Sequence, residues 1–338
     1  MQIKKYDEHG RPYIQIKEGY EVRLDYSDLT EEDKEKARVE LRETPENVAK
    51  GIKELRELIN ANDKLYVPSD FDDWLIVFLR PTKFYAKSAY ELILRHFYFK
   101  KNHPILCHNL VPATARLGFE HNIINFLPRR DQHGRRILAI YAGRDWDPSI
   151  VPITDVFRAM QLAVIAAMME PRTQVNGYVV ILDFLNLTLK QCMHANPFNS
   201  RTMMEYLQQC IPLRCKAIHI VNYPAILSLL YRLFRPLMTG KLKTRVFFHG
   251  NDFKSLHEHI DPSCLRPYYG GTMDCDEVDG KLQAEVLEEG KEEFEICNKF
   301  GIVKNKHEMD YKFVSITDPG KTGTRYTIVQ KDTEIACH

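Results

Sequence analysis

The sequence predicts an α/β protein in which an all-helical N-terminal subdomain precedes a domain built on a mostly parallel sheet. Two observations carry this. Between residue 29 and about residue 100, apolar side chains recur at helical spacing: Phe71, Trp74, Leu75, Phe78 and Leu79 stand at i, i+3, i+4, i+7 and i+8. Beyond them come four short, nearly continuous apolar runs, at 136–141, 178–183, 217–222 and 245–249, separated by helical stretches at 153–169, 200–210 and 224–235. Strands that are apolar on both faces and joined by helices belong to parallel sheets covered on both sides.

Residues 1–28 are polar and aperiodic and read as a flexible arm. The helical subdomain spans 29–101. Thr30 is placed to cap its first helix, and Thr44-Pro45-Glu46 opens a second with Pro45 at the first helical position. Ser69 and Asp72 have the spacing of a capping box, and Pro81 ends the helix that follows. The stretch 83–101 carries Ala86, Ala89, Tyr90, Ile93, Leu94 and Phe97 on one side. The sheet domain is placed at 102–275, a C-terminal helix at 276–301, and a polar tail at 302–338 that is disordered or adjusts to context.

With 338 residues and 44% hydrophobic composition the chain can bury an ample core. A formal net charge of +1 argues against a general nucleic-acid binder, so no nucleic-acid partner is expected. Eight cysteines lack paired metal-ligand or small-scaffold spacing, and the N-terminus has no apolar signal core, so reduced thiols in the cytoplasm are expected. No apolar run approaches the ~20 residues that span a bilayer, so any membrane contact is peripheral. Gln2 stands where a myristoylation signal needs glycine, and Cys337 is not placed for prenylation.

Enzyme motifs are incomplete, and neither catalysis nor a cofactor is expected. Pro319-Gly-Lys-Thr322 has the end of a phosphate-binding loop, but Ser315 replaces its first glycine and no apolar strand leads into it. No dinucleotide fingerprint or nucleophile elbow follows any expected strand. Asp183 ends a strand, where a loop or cap role competes with a catalytic one. His249, His257 and His259 cluster in sequence, yet side chains at i and i+2 diverge by about 200° on a helix and cannot share a metal. His219, amid Ile218, Ile220 and Val221, reads as a core histidine.

Between Tyr206 and Asn251 there is no acidic residue, although about six would be expected, and Arg214, Lys216, Arg232, Arg235, Lys241, Lys243 and Arg245 fall within it. Inside lies the helix candidate 224–235. Ser228, Arg232 and Arg235 share one narrow face, and apolar residues cover most of the rest. So wide an apolar arc needs a partner besides the core, and flanking cations suggest anionic membrane or lipid. A basic core helix with acidic partners elsewhere in the chain gives the same pattern.

One series of motifs runs in order along the chain: Phe78-Leu79-Arg80 with Lys83-Phe84 and Ala89, then Asp131-Gln-His-Gly134, Asn176-Gly-Tyr-Val-Val-Ile-Leu-Asp183 and Ile211-Pro-Leu-Arg214. Asn222-Tyr-Pro224, Arg235-Pro236-Leu237, Phe248-His-Gly250-Asn251 and Leu265-Arg-Pro-Tyr-Tyr-Gly-Gly271 continue it. In these residues the chain resembles the CRAL-TRIO lipid-binding family. Within the family the chain is most similar to the branch of clavesin, cellular retinaldehyde-binding protein and α-tocopherol transfer protein. It departs from the pattern at Leu265-Arg and at Pro81-Thr82.

The resemblance implies a sheet floor, helical walls and a mobile amphipathic lid over one small hydrophobic ligand such as a retinoid or tocopherol. The lid would comprise Pro224, Ile226, Leu227, Leu230, Leu233 and Phe234, extending to about residue 242. The ligand would touch Phe157, Met160, Val164, Val180, Leu182, Met203, Leu207, Ile211 and Ile218, although ordinary core packing competes for some of these. A phosphatidylinositol bisphosphate headgroup would meet Arg80, Arg214, Lys216, Lys241 and Arg245, with plain surface charge as the competing reading. The implied function is release of the ligand at phosphoinositide-containing endosomal or plasma membranes. A clavesin-like adaptor that binds phosphoinositides and clathrin coat components is the alternative.

Overall fold

The computed structural model describes residues 2–316 and 325–330, so the Pro319–Thr322 and Cys337 expectations lie outside the described residues. In chain order the elements begin with a small antiparallel sheet, β1 (Ile3–Tyr6), β2 (Pro12–Lys17) and β3 (Tyr20–Val22). Next come α1 (Glu31–Leu41), α2 (Pro45–Asn60), β4 (Leu65–Tyr66), α3 (Asp72–Leu79), α4 (Ala86–Asn102), α5 (Pro104–Cys107) and α6 (Pro112–Glu120).

The central sheet has the order β5 (Ile124–Phe126), β6 (Arg136–Tyr141), β7 (Tyr178–Asp183), β8 (Cys215–Val221), β9 (Val246–Gly250). β5 runs antiparallel to β6, and the other pairings are parallel. The crossovers are α7 (Ile153–Met168) and α8 (Pro171–Asn176), then α9 (Leu189–Cys192) and α10 (Pro197–Glu205), then α11 (Leu227–Phe234) and α12 (Gly240–Lys243). A π turn, Tyr206–Cys210, prolongs α10. After the sheet follow α13 (Phe253–His257), α14 (Gly280–Glu289), α15 (Lys291–Cys297), β10 (Gly301–Ile302), β11 (Tyr311–Ile316) and β12 (Arg325–Gln330).

Local chemistry sets the starts of α1 and α2. Thr30 caps α1 reciprocally with Asp33, whose N–H donates to Thr30 Oγ1 at 3.1 Å. Thr44 accepts from Asn47 N at 3.3 Å, and Pro45 starts α2. Ser69 and Asp72 do not form the expected capping box. α3 starts at Asp72 with Phe71 as an N-cap that offers no side-chain bond, while Ser69 Oγ donates to Asn60 Oδ1.

The arm and the tail differ from expectation. Residues 2–28 are not a loose arm: Ile14, Ile16 and Val22 alternate with polar neighbours on β2 and β3 and are buried against α6, α7 and α14. The alternation is only six residues long, too short to stand out among polar neighbours. Just beyond β3, Arg130 pairs with Asp25 and Glu170, each at 3.0 Å, tying this segment to the sheet domain. Past residue 300 the chain returns to the helical subdomain, where β10 pairs with β4 and Phe313 packs 5.0 Å from Phe300 and 5.1 Å from Tyr66. The expected C-terminal helix is broken at Gly290 into α14 and α15.

Side-chain alternation gives the sheet two unlike faces. Ile137, Ala139, Tyr141, Val179, Ile181, Ala217 and Val221 point to one side, where Leu256, Ile260, Leu265, Tyr269 and Met273 seal them in a close-packed core. On the opposite side the register builds two rows, Val180, Ile218 and Val246, and Ile140, Leu182, Ile220 and Phe248. Gly177 makes the β7–β8 approach possible. Its φ is +79° and a Cβ there would stand 2.3 Å from Arg214 O, the atom that accepts from Tyr178 N at 3.1 Å.

Candidate functional site

The two rows are the floor of a cavity of about 460 Å³. Ile153, Val156, Phe157 and Met160 of α7 form one wall at i, i+3, i+4 and i+7. Thr202, Met203 and Leu207, on α10 and its π turn, form another. α11 covers the space with Leu227, Leu230, Tyr231 and Phe234, again at i, i+3, i+4 and i+7. The lining is almost wholly apolar, so what it can enclose is hydrocarbon. Ile105 of α5 and Phe198 of α10 line it yet are 77% and 69% exposed, so the cavity meets solvent between these helices.

Seven of the nine expected ligand contacts line this space: Phe157, Met160, Val180, Leu182, Met203, Leu207 and Ile218. Val164 and Ile211 do not. Both are buried among Tyr178, Tyr206 and Cys210: Val164 lies a turn beyond Met160 along α7, and Ile211 directly follows the π turn. Of the expected lid residues Leu227, Leu230 and Phe234 face the cavity, whereas Pro224, Ile226 and Leu233 do not line it. α11 is shorter than expected, beginning at Leu227. Sequence reasoning missed Ile105, Trp146, Phe184 and Phe198, which lie on short helices and loops where apolar periodicity has no length to show itself, and Tyr231 and Phe248, whose helix and strand were expected but whose facing was not.

The segment around α11 is tethered at both ends. Before it, Asn222 Nδ2 donates to Asp183 Oδ1 and Oδ2 at 3.1 and 3.0 Å, and Asn222 N to Gly250 O at 2.7 Å. After it, Gln208 Nε2 donates to Leu237 O at 3.0 Å and Gln208 Oε1 accepts from Thr239 N at 2.6 Å. α11 itself has no side-chain N-cap.

Beside the cavity, cations gather at the rim of β8 and α12. Arg214 Nη1 and Lys216 Nζ stand 2.8 and 3.2 Å from Glu40 Oε2. Arg245 Nη1 donates to Cys215 O at 2.5 Å. Burial, and then the charges of Arg245, Lys83 and Arg214, hold Lys241 below the usual lysine range; burial and then Arg214 do the same to Lys216. Arg80 does not join them. It is buried, 2.8 Å from Glu43 and donating to Gln174 Oε1, because the chain turns at Pro81 and carries it into the interface with α8. Lys83 occupies the rim instead.

The other polar candidates have partners within the fold. Asp183 accepts from Leu185 N at 2.9 Å and from Tyr269 Oη at 3.3 Å, which fits a strand-end role. His219 lies on the sealed face of the sheet, with Nδ1 3.0 Å from His249 Nε2. His257 Nε2 reaches Tyr269 O at 2.8 Å, and among the described residues no His, Cys, Asp or Glu cluster is arranged to hold a metal. Burial raises the thiols of Cys107 and Cys215 to about 11 and of Cys210 to about 12, leaving no ready nucleophile among these three.

Sheet, cavity and covering helix together define a protein class: an α/β domain that can enclose a small hydrophobic molecule on one face of its sheet. A family model described as the CRAL/TRIO domain matches residues 120–271. Clavesin-2 from Homo sapiens is 32% identical over 251 residues, covering 72% of this chain and 75% of that protein. Alpha-tocopherol transfer protein-like from Mus musculus is 33% identical over 272 residues, covering 80% and 78%. The crystal structure of Sfh5 aligns with a TM-score of 0.43 at 11% identity, covering 75% of this chain and 92% of that one, too distant to bear on the site. The chain belongs to the CRAL-TRIO family of lipid-binding proteins. Among the described residues no helix is long and apolar enough to cross a membrane.

Proposed function

We propose that this protein carries one hydrophobic lipid, of retinoid, tocopherol or related isoprenoid type, and releases it at membranes bearing phosphoinositides. The observation that carries the reading is the 460 Å³ apolar cavity beneath α11. Burying cargo there contributes roughly 25 cal/mol per Å² of apolar area, less the cost of association. The exposed apolar side chains of Ile105 and Phe198 at the cavity mouth suit contact with a bilayer, and the cations at 214, 216, 241 and 245 suit its anionic headgroups. Release follows when α11 moves outward, its apolar face exchanging cargo for lipid. The proposed setting is the cytoplasm, with peripheral contact to endosomal or plasma membranes.

The test is organic extraction of the purified protein with mass spectrometry, followed by transfer of the recovered lipid between liposomes. Lys241→Glu with Arg245→Glu is expected to slow transfer to bisphosphate-containing acceptors while leaving binding in solution nearly intact. Vesicle binding without movement of any lipid would instead mark an adaptor, for which clathrin coat components are the partners to assay.

A further inference from the structure

Glu40 is the only carboxylate that the described residues bring into ion-pair contact with the basic rim. Its Oε2 holds Arg214 and Lys216 together, while Lys83, Lys241 and Arg245 form no ion pair among the described residues. The nearby Glu43 is engaged by Arg80 at 2.8 Å. The Glu40 side chain is 42% exposed, so it can leave for water at small cost. Its helix does not depend on that contact. Asp33 holds Arg172 at 2.8 Å and accepts from Asn176 Nδ2 at 2.6 Å, and Lys36 Nζ donates to His133 O at 2.8 Å. These bonds dock α1 independently of Glu40.

We propose that Glu40 is a charge filter on the basic rim, an internal carboxylate that a headgroup must displace, so that the site accepts ligands with two or more phosphates and resists singly charged ones. This rests on the headgroup reading given above. Exchanging one carboxylate for a single phosphodiester trades one negative charge for another and gains little. A phosphomonoester carries about −1.5 to −2 at neutral pH and presents three acceptor oxygens. Two of them bring several times the charge that Glu40 takes away, and they can bridge Arg214 and Lys216 to Lys241 and Arg245. The shared chemistry is a multiply phosphorylated inositol, either in a lipid or free in solution.

The experiment uses the full chain and Glu40→Gln, with Glu40→Ala as a second variant, both expected to melt close to the parent. Binding is measured on phosphatidylcholine vesicles containing phosphatidylserine or phosphatidylinositol bisphosphate at matched total charge, and with soluble inositol trisphosphate. The parent is expected to prefer the bisphosphate vesicles by about tenfold. Glu40→Gln is expected to bind phosphatidylserine vesicles about five- to tenfold more tightly with bisphosphate binding little changed, bringing the two affinities within about twofold. Binding of soluble inositol trisphosphate by the parent, in competition with bisphosphate vesicles, assigns recognition to the headgroup alone; binding to the vesicles without such competition assigns it to the lipid in its bilayer. An unchanged or enlarged preference in Glu40→Gln, with Lys241→Glu still abolishing bisphosphate binding, overturns the filter and leaves the carrier reading standing. Failure of the parent to bind either anionic vesicle overturns the filter together with the headgroup reading.

Discussion

Tyr231 of α11 stands edge-on to Phe248 of β9, with ring centroids 4.8 Å apart and ring planes at 78°. Both rings line the cavity, so this pair fastens the covering helix directly to the floor. An aromatic pair of this geometry contributes about 0.5–1.5 kcal/mol beyond its buried area. Tyr231→Ala is therefore expected to speed spontaneous loss of a bound fluorescent lipid by about three- to tenfold. Stopped-flow transfer to excess neutral liposomes reads this rate. An unchanged rate means that exit does not pass α11.

Filling space and overpacking have opposite signatures at two neighbouring positions of α7. Met160 faces the cavity, so Met160→Trp is expected to cut lipid stoichiometry with little change in thermal midpoint. Val164 is already buried against packed neighbours, so Val164→Trp is expected to destabilise the fold by about 1–3 kcal/mol. Extraction with mass spectrometry and urea titration separate the two effects.

Arg80 and Lys241 divide the same way. Arg80 is paired with Glu43 in a buried interface, and its removal leaves that carboxylate uncompensated. Arg80→Ala is expected to cost about 2–4 kcal/mol by urea denaturation, with vesicle binding of the folded protein retained. Lys241→Glu, at an exposed position, is expected to leave the urea midpoint in place and abolish binding to bisphosphate vesicles.

Acid should weaken the fold through the sealed face of the sheet. Burial, then the neighbouring His249 and His259, lowers His219 to about 3. Burial, then His259, lowers His249 to about 4 against an opposing pull from Asp252. Folded-state values below the unfolded 6.5 mean that the unfolded chain binds more protons as pH falls through that range. Stability is thus expected to be full above about pH 6.5 and to decline progressively toward pH 4. His219→Phe should flatten the plot of urea midpoint against pH between these limits. A slope identical to that of the parent would place the acid sensitivity elsewhere.

Much of the α/β domain was legible because long periodic segments announce themselves. The strands at 136–141 and 178–183 coincide with β6 and β7, and the helix at 153–169 ends within a residue of α7. Short elements were not. The three-residue β5 shows no alternation, and β2 has only Ile14 and Ile16 to mark its buried face. Met160 and Val164 have the same character and the spacing of one helical face, yet one meets empty space and the other a packed core. Arg80 and Lys83 are both cations after the same helix, and only the turn at Pro81 decides which is buried.

What the sequence determined by itself was the kind of layer each segment forms and the acid-free character of residues 206–251, since spacing and charge are local properties of the chain. Tertiary structure decided which apolar side chains surround a void, which cations stay available, and that Glu40 stands among them. The reason is physical. A cavity and an ion pair are relations between surfaces far apart in sequence, and the same side chain is core, wall or ligand contact according to what the fold sets opposite it.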